Sequence, residues 1–239
     1  MEEKLLNIAE AAEILGVSLD TLRRWDKNGK LVAIRKEGGV HRYYRQSDLD
    51  LFASDLIKIA REWTTEGSEL PSMFYCENSA VFQTRLVKMQ NAMAGSGLSE
   101  NILPLVVAVA GEVGNNSFDH NLGKWPDIPG VFFGYDISKR QVVLADRGLG
   151  ILSTLSRVRP ELKTHVDALR VAFTEIVSGR APEERGNGLK FVRRVIFENP
   201  ISLFFRSGDA ELRLKKDNNE LFITRSQSVT RGCFTIIEY

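Results

Sequence analysis

The segment from Asn101 to Asn121 constrains the fold of this chain more than any other. Ser99 is a good N-cap, and the run Leu103-Pro-Leu-Val-Val-Ala-Val-Ala110 predicts a helix over about 101–118, with Pro104 tolerated in its first turn. A helix this apolar has to lie inside a core. Yet its second half carries Glu112 and Asn116, four residues apart, and Asp119 one turn further on, all on one face. A Glu and an Asn held against a core are costly unless groups of matching chemistry meet them. A water molecule and a metal ion on a nucleotide fit that requirement.

Two glycine motifs follow. Ala145-Asp146-Arg147-Gly148-Leu149-Gly150-Ile151 reads as a strand running into a turn, and Arg185-Gly186-Asn187-Gly188-Leu189 as a glycine pair opening an apolar helix. A helix with E-x-x-x-N, then D-x-G-x-G, then G-x-G-L, in that order, resembles the GHKL superfamily, which includes gyrase, histidine kinases and MutL. The resemblance implies a Bergerat-type ATP-binding fold with ATP and Mg²⁺ as ligands. It implies Glu112 as the catalytic general base toward the water that attacks the γ-phosphate, and Asn116 as the magnesium ligand. Asp119 would support the adenine or the glycine turns, and Asp146 would accept a hydrogen bond from the adenine amino group. Gly148 and Gly150 would let the backbone pass close to the nucleotide. Gly186, Gly188 and Leu189 would open a helix toward the phosphates, with Arg185 and Lys190 as further phosphate contacts. Lys190 stands where kinases commonly carry a glycine.

The first sixty residues have a different character. Ile8, Ala11, Ala12 and Leu15 recur at helical spacing, Gly16-Val17 makes a turn, and Ser18 is placed to cap a second helix with Leu19, Leu22 and Trp25 as its apolar stripe. Two short helices about a tight turn predict a helix-turn-helix. Residues 31–34 and 40–44 predict a two-stranded wing, and Ser47 is placed to cap a helix from about Asp48 that carries Leu49, Phe52, Leu56 and Ile59. Arg23, Arg24, Lys27, Lys30, Arg35, Lys36, Arg42 and Arg45 face only Asp26 and Glu37 in the same stretch. That excess of positive charge suits neutralisation of duplex phosphates.

Leu22-Arg23-Arg24-Trp25, Gly29-Lys30-Leu31 and Gly39-Val-His-Arg-Tyr-Tyr44 resemble the MerR/excisionase winged-helix family. The resemblance implies that the second helix enters the major groove, with Arg23 and Arg24 near bases or phosphates, and that the wing touches backbone or minor groove. Trp25 stands where full MerR regulators usually have Tyr, and their long dimerising coiled coil is absent. Trp25 and Tyr44 are expected in the core rather than stacked on bases.

Residues 62–77 lose periodicity and collect Gly, Ser, Thr and Pro, which predicts a linker between a domain at 1–61 and a second at 78–239. The helix predicted at 79–93 contains no His, which argues against a sensor kinase that phosphorylates itself there. Strands are predicted at 131–137 and 141–145, a helical lid over 150–178, a helix from Gly188, and three closing strands at 202–206, 210–215 with 221–224, and 233–238. Helices on one face of a mixed sheet would make an α/β sandwich. The expected fold is therefore two domains, an α-rich winged helix-turn-helix followed by an α/β sandwich of the Bergerat type.

The formal net charge of +1 does not by itself announce nucleic acid, so the DNA expectation rests on the local stripe. No run approaches the roughly 18 apolar residues of a membrane span, the first residues do not read as a signal peptide, and Cys76 and Cys233 are too few for a disulfide framework. A cytoplasmic protein is expected, with double-stranded DNA, ATP, and a protein partner or second copy as its partners. Three functions fit. One is a DNA-binding regulator in which an ATPase domain acts as a nucleotide switch. Another is a Ser/Thr protein kinase of the anti-sigma type targeted by its helix-turn-helix. The last is a non-hydrolysing ATP-binding component of a mobile-element or defence complex.

Overall fold

The structure, a computed structural model, describes residues 4–27, 29, 31–35, 39–175 and 188–239. Lys30, Lys36, Arg185 and Gly186, expected as site residues, lie outside the described residues.

Strand β1 (Leu5–Asn7) runs straight into α1 (Ile8–Leu15). The Asn7 side chain accepts the Ala9 and Glu10 N–H groups at 2.8 and 3.0 Å, and Glu10 accepts the Asn7 N–H at 2.7 Å. This reciprocal cap fixes the first helix. Gly16 ends it in the left-handed conformation, and Ser18 Oγ accepts the Thr21 N–H at 3.1 Å to start α2 (Leu19–Lys27). The expected helix-turn-helix is present. Leu19, expected on the buried stripe of α2, is 39% exposed. Thr21 takes the inward position instead, held by hydroxyl contacts to Ser18 and Glu69.

Strand β2 (Tyr43–Arg45) pairs antiparallel with β1, and Ile34 meets Tyr43 in an isolated bridge. Among the described residues the expected two-stranded wing is reduced to that bridge, because β2 spends its ladder on the N-terminal strand. Tyr44 is buried and its hydroxyl donates to Leu22 O at 3.3 Å; Trp25 is buried with its ring centroid 5.0 Å from that of Phe52. Both are core residues, as the sequence predicts.

Helix α3 (Gln46–Ser54) follows β2 with Arg45, and not Ser47, in the capping position and no side-chain cap. The single helix expected through Ile59 breaks at Asp55, whose carboxylate accepts the Lys58 N–H at 3.2 Å and starts α4 (Leu56–Glu66). An Asp that bonds a backbone N–H ahead of it offers the chain an alternative to continuing the helix. The two halves serve different cores. Leu49 lies with Leu15, Leu22 and Tyr44, whereas Leu56, Ile59, Ala60 and Trp63 lie against the sheet described below. Phe52 packs against both.

The stretch 62–77, expected as a linker, is the end of α4, a loop, and the short strand β3 (Tyr75–Cys76). Trp63 is buried there, and truncating so large a buried ring costs roughly 3–5 kcal/mol, which no free linker could lose.

Helices α5 (Ser79–Ala94) and α6 (Leu103–Asn121) come next, then β4 (Val131–Asp136), β5 (Gln141–Asp146), α7 (Gly150–Leu155), α8 (His165–Thr174), α9 (Gly188–Glu198), β6 (Ser202–Leu214) and β7 (Phe222–Glu238). The five strands form one sheet in the order β3-β4-β5-β7-β6, with every pairing antiparallel rather than mixed. The three closing strands expected from the sequence are two long ones. Their ladder shifts register between Ser207 and Ala210, where Gly208 at φ +61° supplies a conformation that a side chain would oppose.

Alternation along the strands sorts residues to two covered faces. Val131, Phe133, Val142, Leu144 and Ile237 join the core under α5, α6, α8 and α9. Phe132, Val143, Ala145, Phe234 and Ile236 face α4 and Phe74. Helices therefore cover both faces, and the second cover comes from the segment that continues out of the helix-turn-helix. No helix among the described residues is long and apolar enough to cross a membrane.

Candidate functional site

The buried stripe of α6 runs Val106, Val109, Ala110, Val113, Ser117 and Asn121. It is apolar where it meets the core and polar where it meets the end of β5. There the Asp146 side chain, in a residue only 1% exposed, accepts the Ser117 hydroxyl at 2.8 Å and the Gly148 N–H at 2.8 Å. The backbone N–H of Cys233 donates to it as well, and the Cys233 thiol beside it donates to Ser207 Oγ at 3.8 Å. An ionised carboxylate has about four acceptor sites, and three of these are met by Ser117, Gly148 and Cys233. Burial pushes the Asp146 carboxyl up, opposed by the bonds from Ser117, Gly148 and Cys233. Burial, with the Asp146 charge, also pushes the Cys233 thiol well above its ordinary value.

Asn121 holds the next residues of the turn. Its Oδ1 accepts the Leu149 N–H at 2.8 Å, its Nδ2 donates to Ser117 O at 2.7 Å, and a Cβ on Gly148 would overlap its amide. Gly150 opens α7, and beside it the Ile151 N–H donates to Ser207 Oγ at 2.9 Å. The glycine turn is thus pinned on one side by α6 and on the other by the irregularity in β6. A cavity of about 380 Å³ lies beneath it, lined by Gly148–Gly150, Thr64, Thr65, His165 and Arg231 among others.

The other polar face of α6 meets α9. A Cβ on Gly188 would overlap Glu112 Oε2 and lie 3.4 Å from Asn116 Nδ2. A side chain at 188 would push the Glu112 carboxylate aside. Leu189 is half-buried against the core, and the Lys190 ammonium is shielded from solvent with no hydrogen-bond partner among the described residues. Desolvation pulls its pKa down. Asp119 is exposed, and Asn121 holds the turn after Asp146. The structure therefore brings Gly188 to Glu112 and Asn116 on one face of the C-terminal half of α6, with Lys190 two residues along α9, and the turn from Asp146 through Gly148 to Gly150 to Ser117 and Asn121 on the adjoining face. The sequence reading missed Ser117 and Asn121, although both continue the buried stripe at helical spacing.

Arg147, the variable residue of the D-x-G-x-G motif, points away from this site. It is 6% exposed and donates from Nη1 to Trp63 O and Thr64 O at 2.5 and 2.9 Å, capping α4. Its Nε and Nη2 meet Asp127 at 3.2 and 2.5 Å, and Arg231 joins the same carboxylate. The Arg147 hydrogen bonds hold Asp127 down at about 2 against the raising effect of burial, with the Ile128 N–H and Arg231 assisting. A carboxyl depressed from 3.8 stabilises the fold fully above that value and loses the contribution as pH falls toward about 2. Thermal melting of the wild type should therefore fall by a few °C across that interval. Asp127→Asn should melt lower at neutral pH and lose less on acidification; parallel curves for the two proteins would refute the assignment.

The basic stripe is less free than its composition suggests. Asp26, with a side chain 5% exposed, accepts the Ala33 N–H at 3.0 Å, Arg35 Nη2 at 2.6 Å and Arg42 Nε at 2.7 Å. Burial alone would raise the Asp26 carboxyl, but these bonds outweigh it and leave it below the ordinary carboxylate range. Arg35 and Arg42 thus tie the wing segment to α2. Arg23 pairs with Asp20 at 2.6 Å, and Arg24 pairs with Glu69. Lys27 and Arg45 are exposed on the same domain.

Residues 5–55 match a helix-turn-helix domain family. Over 66 residues the chain is 38% identical to the type II methyltransferase M.Eco47II of Escherichia coli. That alignment covers 28% of this chain and 16% of the relative, so the chain spans about a sixth of the length of the curated protein it matches. A helix-turn-helix domain is present at residues 5–55.

Proposed function

We propose that this chain is a DNA-binding regulator whose second domain binds ATP–Mg²⁺ and acts as a nucleotide switch on the helix-turn-helix. The DNA half is supported by the domain match and by the basic residues of α2 and the wing. The short alignment to a methyltransferase carries no transferase activity across to this chain. The nucleotide half is carried by one observation: a single helix, α6, meets both glycine segments.

The residues fit the phosphate end of such a ligand. Gly188 leaves a cradle beside Glu112 and Asn116 that a Cβ would fill, and the Lys190 ammonium lacks a partner among the described residues. Asn116 Oδ1 would hold the magnesium, an oxygen donor of the kind that ion prefers. Glu112 would orient the attacking water and take its proton. Backbone N–H groups at the start of α9, with Lys190, would face the phosphates. When bound, the nucleotide supplies a transferable γ-phosphoryl group and the metal screens its charge.

At the adenine end the Asp146 carboxylate would accept the adenine amino group in place of the Ser117 hydroxyl, which can rotate away, whereas the backbone N–H groups cannot. The bonds that Asp146 already accepts also favour a second reading, in which this end is a structural knot that recognises no adenine.

Calorimetry with ATP–Mg²⁺ tests the assignment. Asp146→Asn should lower affinity about tenfold or more, because a mismatched buried polar contact costs roughly 1–3 kcal/mol. An unchanged affinity in a folded variant refutes the role of Asp146, and absence of binding by the wild type refutes the nucleotide reading. A switch further requires that ATP favour one state over another, so duplex affinity of the wild type should differ with and without nucleotide.

A further inference from the structure

Segment 67–72 leaves α4 and returns to the helix-turn-helix. Ser72 N–H donates to Gly16 O at 3.1 Å, in the turn between α1 and α2. Glu69 reaches α2 itself: its Oε1 accepts the Thr21 hydroxyl at 2.6 Å and its Oε2 pairs with Arg24. The base of the segment, Gly67, packs beside the Arg147 guanidinium, which caps α4 and belongs to the glycine turn after Asp146.

We propose that segment 67–72 is an autoinhibitory latch on α2, with Glu69 standing at Arg24 where a DNA phosphate would stand. The inference rests on the reading that residues 5–55 bind duplex DNA and is independent of the nucleotide reading. A carboxylate offers a guanidinium the same charge-assisted acceptors as a phosphate. It also places a negative charge where incoming phosphates would be. The pair is half-exposed, with side chains 55% and 42% accessible. Exposed pairs of this kind are worth up to about 1 kcal/mol, so the latch tunes binding by a factor near five and releases readily.

A double-mutant cycle on the full chain tests this, using a fluorescently labelled duplex of mixed sequence over a KCl series without nucleotide. Glu69→Gln should tighten binding about fivefold at low salt and steepen the salt dependence by about one counterion. The same change made on Arg24→Gln should give almost no gain, because the group that Glu69 occupies is gone. A gain that persists in Arg24→Gln means a long-range charge effect and overturns the latch. No gain on wild type, with duplex bound, overturns the latch and leaves the DNA reading standing. Failure of every protein to bind duplex overturns both.

Discussion

On the proposed nucleotide reading, Glu112→Ala is expected to keep ATP affinity and to lose hydrolysis by about 10²-fold or more, the scale of a general base. The expectation follows from position. Glu112 sits on the face of α6 that the first turn of α9 approaches, with Asn116 one turn along, and among the described residues its side chain ties down no strand or loop. Its removal should therefore leave folding and ligand affinity nearly unchanged while phosphate release falls. Single-turnover assays beside equilibrium binding separate the two. If affinity falls as far as turnover, Glu112 contributes binding and not proton transfer. A wild type that binds ATP without hydrolysing it, alone or with a protein partner, removes the base role and leaves the non-hydrolysing reading.

Arg147→Ala is expected to cost roughly 3–5 kcal/mol of stability, the scale for breaking a buried charged pair. The guanidinium satisfies Trp63 O and Thr64 O at the negative end of α4 and two oxygens of Asp127. Truncation leaves those carbonyls without their donor and Asp127 with only Arg231 and the Ile128 N–H among the described residues. For a chain of this size each kcal/mol moves the melting temperature about 2–4 °C, so calorimetry should show a drop of roughly 10 °C. Arg147→Lys should recover part of it, since one ammonium can serve the helix end but not the bidentate carboxylate. A loss below about 1 kcal/mol would show that the cluster is solvated and of little consequence.

Periodicity made much of this fold legible. The α1–turn–α2 pair, α5 and α6 were readable because a single apolar face sets each one, and the β4–β5 hairpin because two apolar runs flank a polar turn. The α3–α4 break was not, because Leu49, Phe52, Leu56 and Ile59 keep helical phase across Asp55 while belonging to different cores. The linker reading failed for a related reason: small and polar residues at 65–72 surround Trp63 and Phe74, which are buried by a sheet far along the chain. At the candidate site the glycine motifs announced themselves, and Ser117 and Asn121 were available from the stripe they extend. Glu69 and Arg147 were not, since Glu69 lies 45 residues from Arg24 and Arg147 lies 84 from Trp63.

The position of α4 also bears on modularity. Its Leu56, Ile59, Ala60 and Trp63 are covered by the sheet of the second domain and by Phe74, while Phe52 just before it packs against both cores. A fragment cut at residue 61 would carry half a helix with its oily side bare, a feature that invites self-association. The natural seam is Asp55, where one helix ends and its successor is capped anew. A reader head swapped into another protein at that seam takes its own core with it and leaves behind the strip that seals its neighbour. Recombination at this point exchanges the DNA-facing half only if the recipient supplies a replacement lining for the exposed sheet.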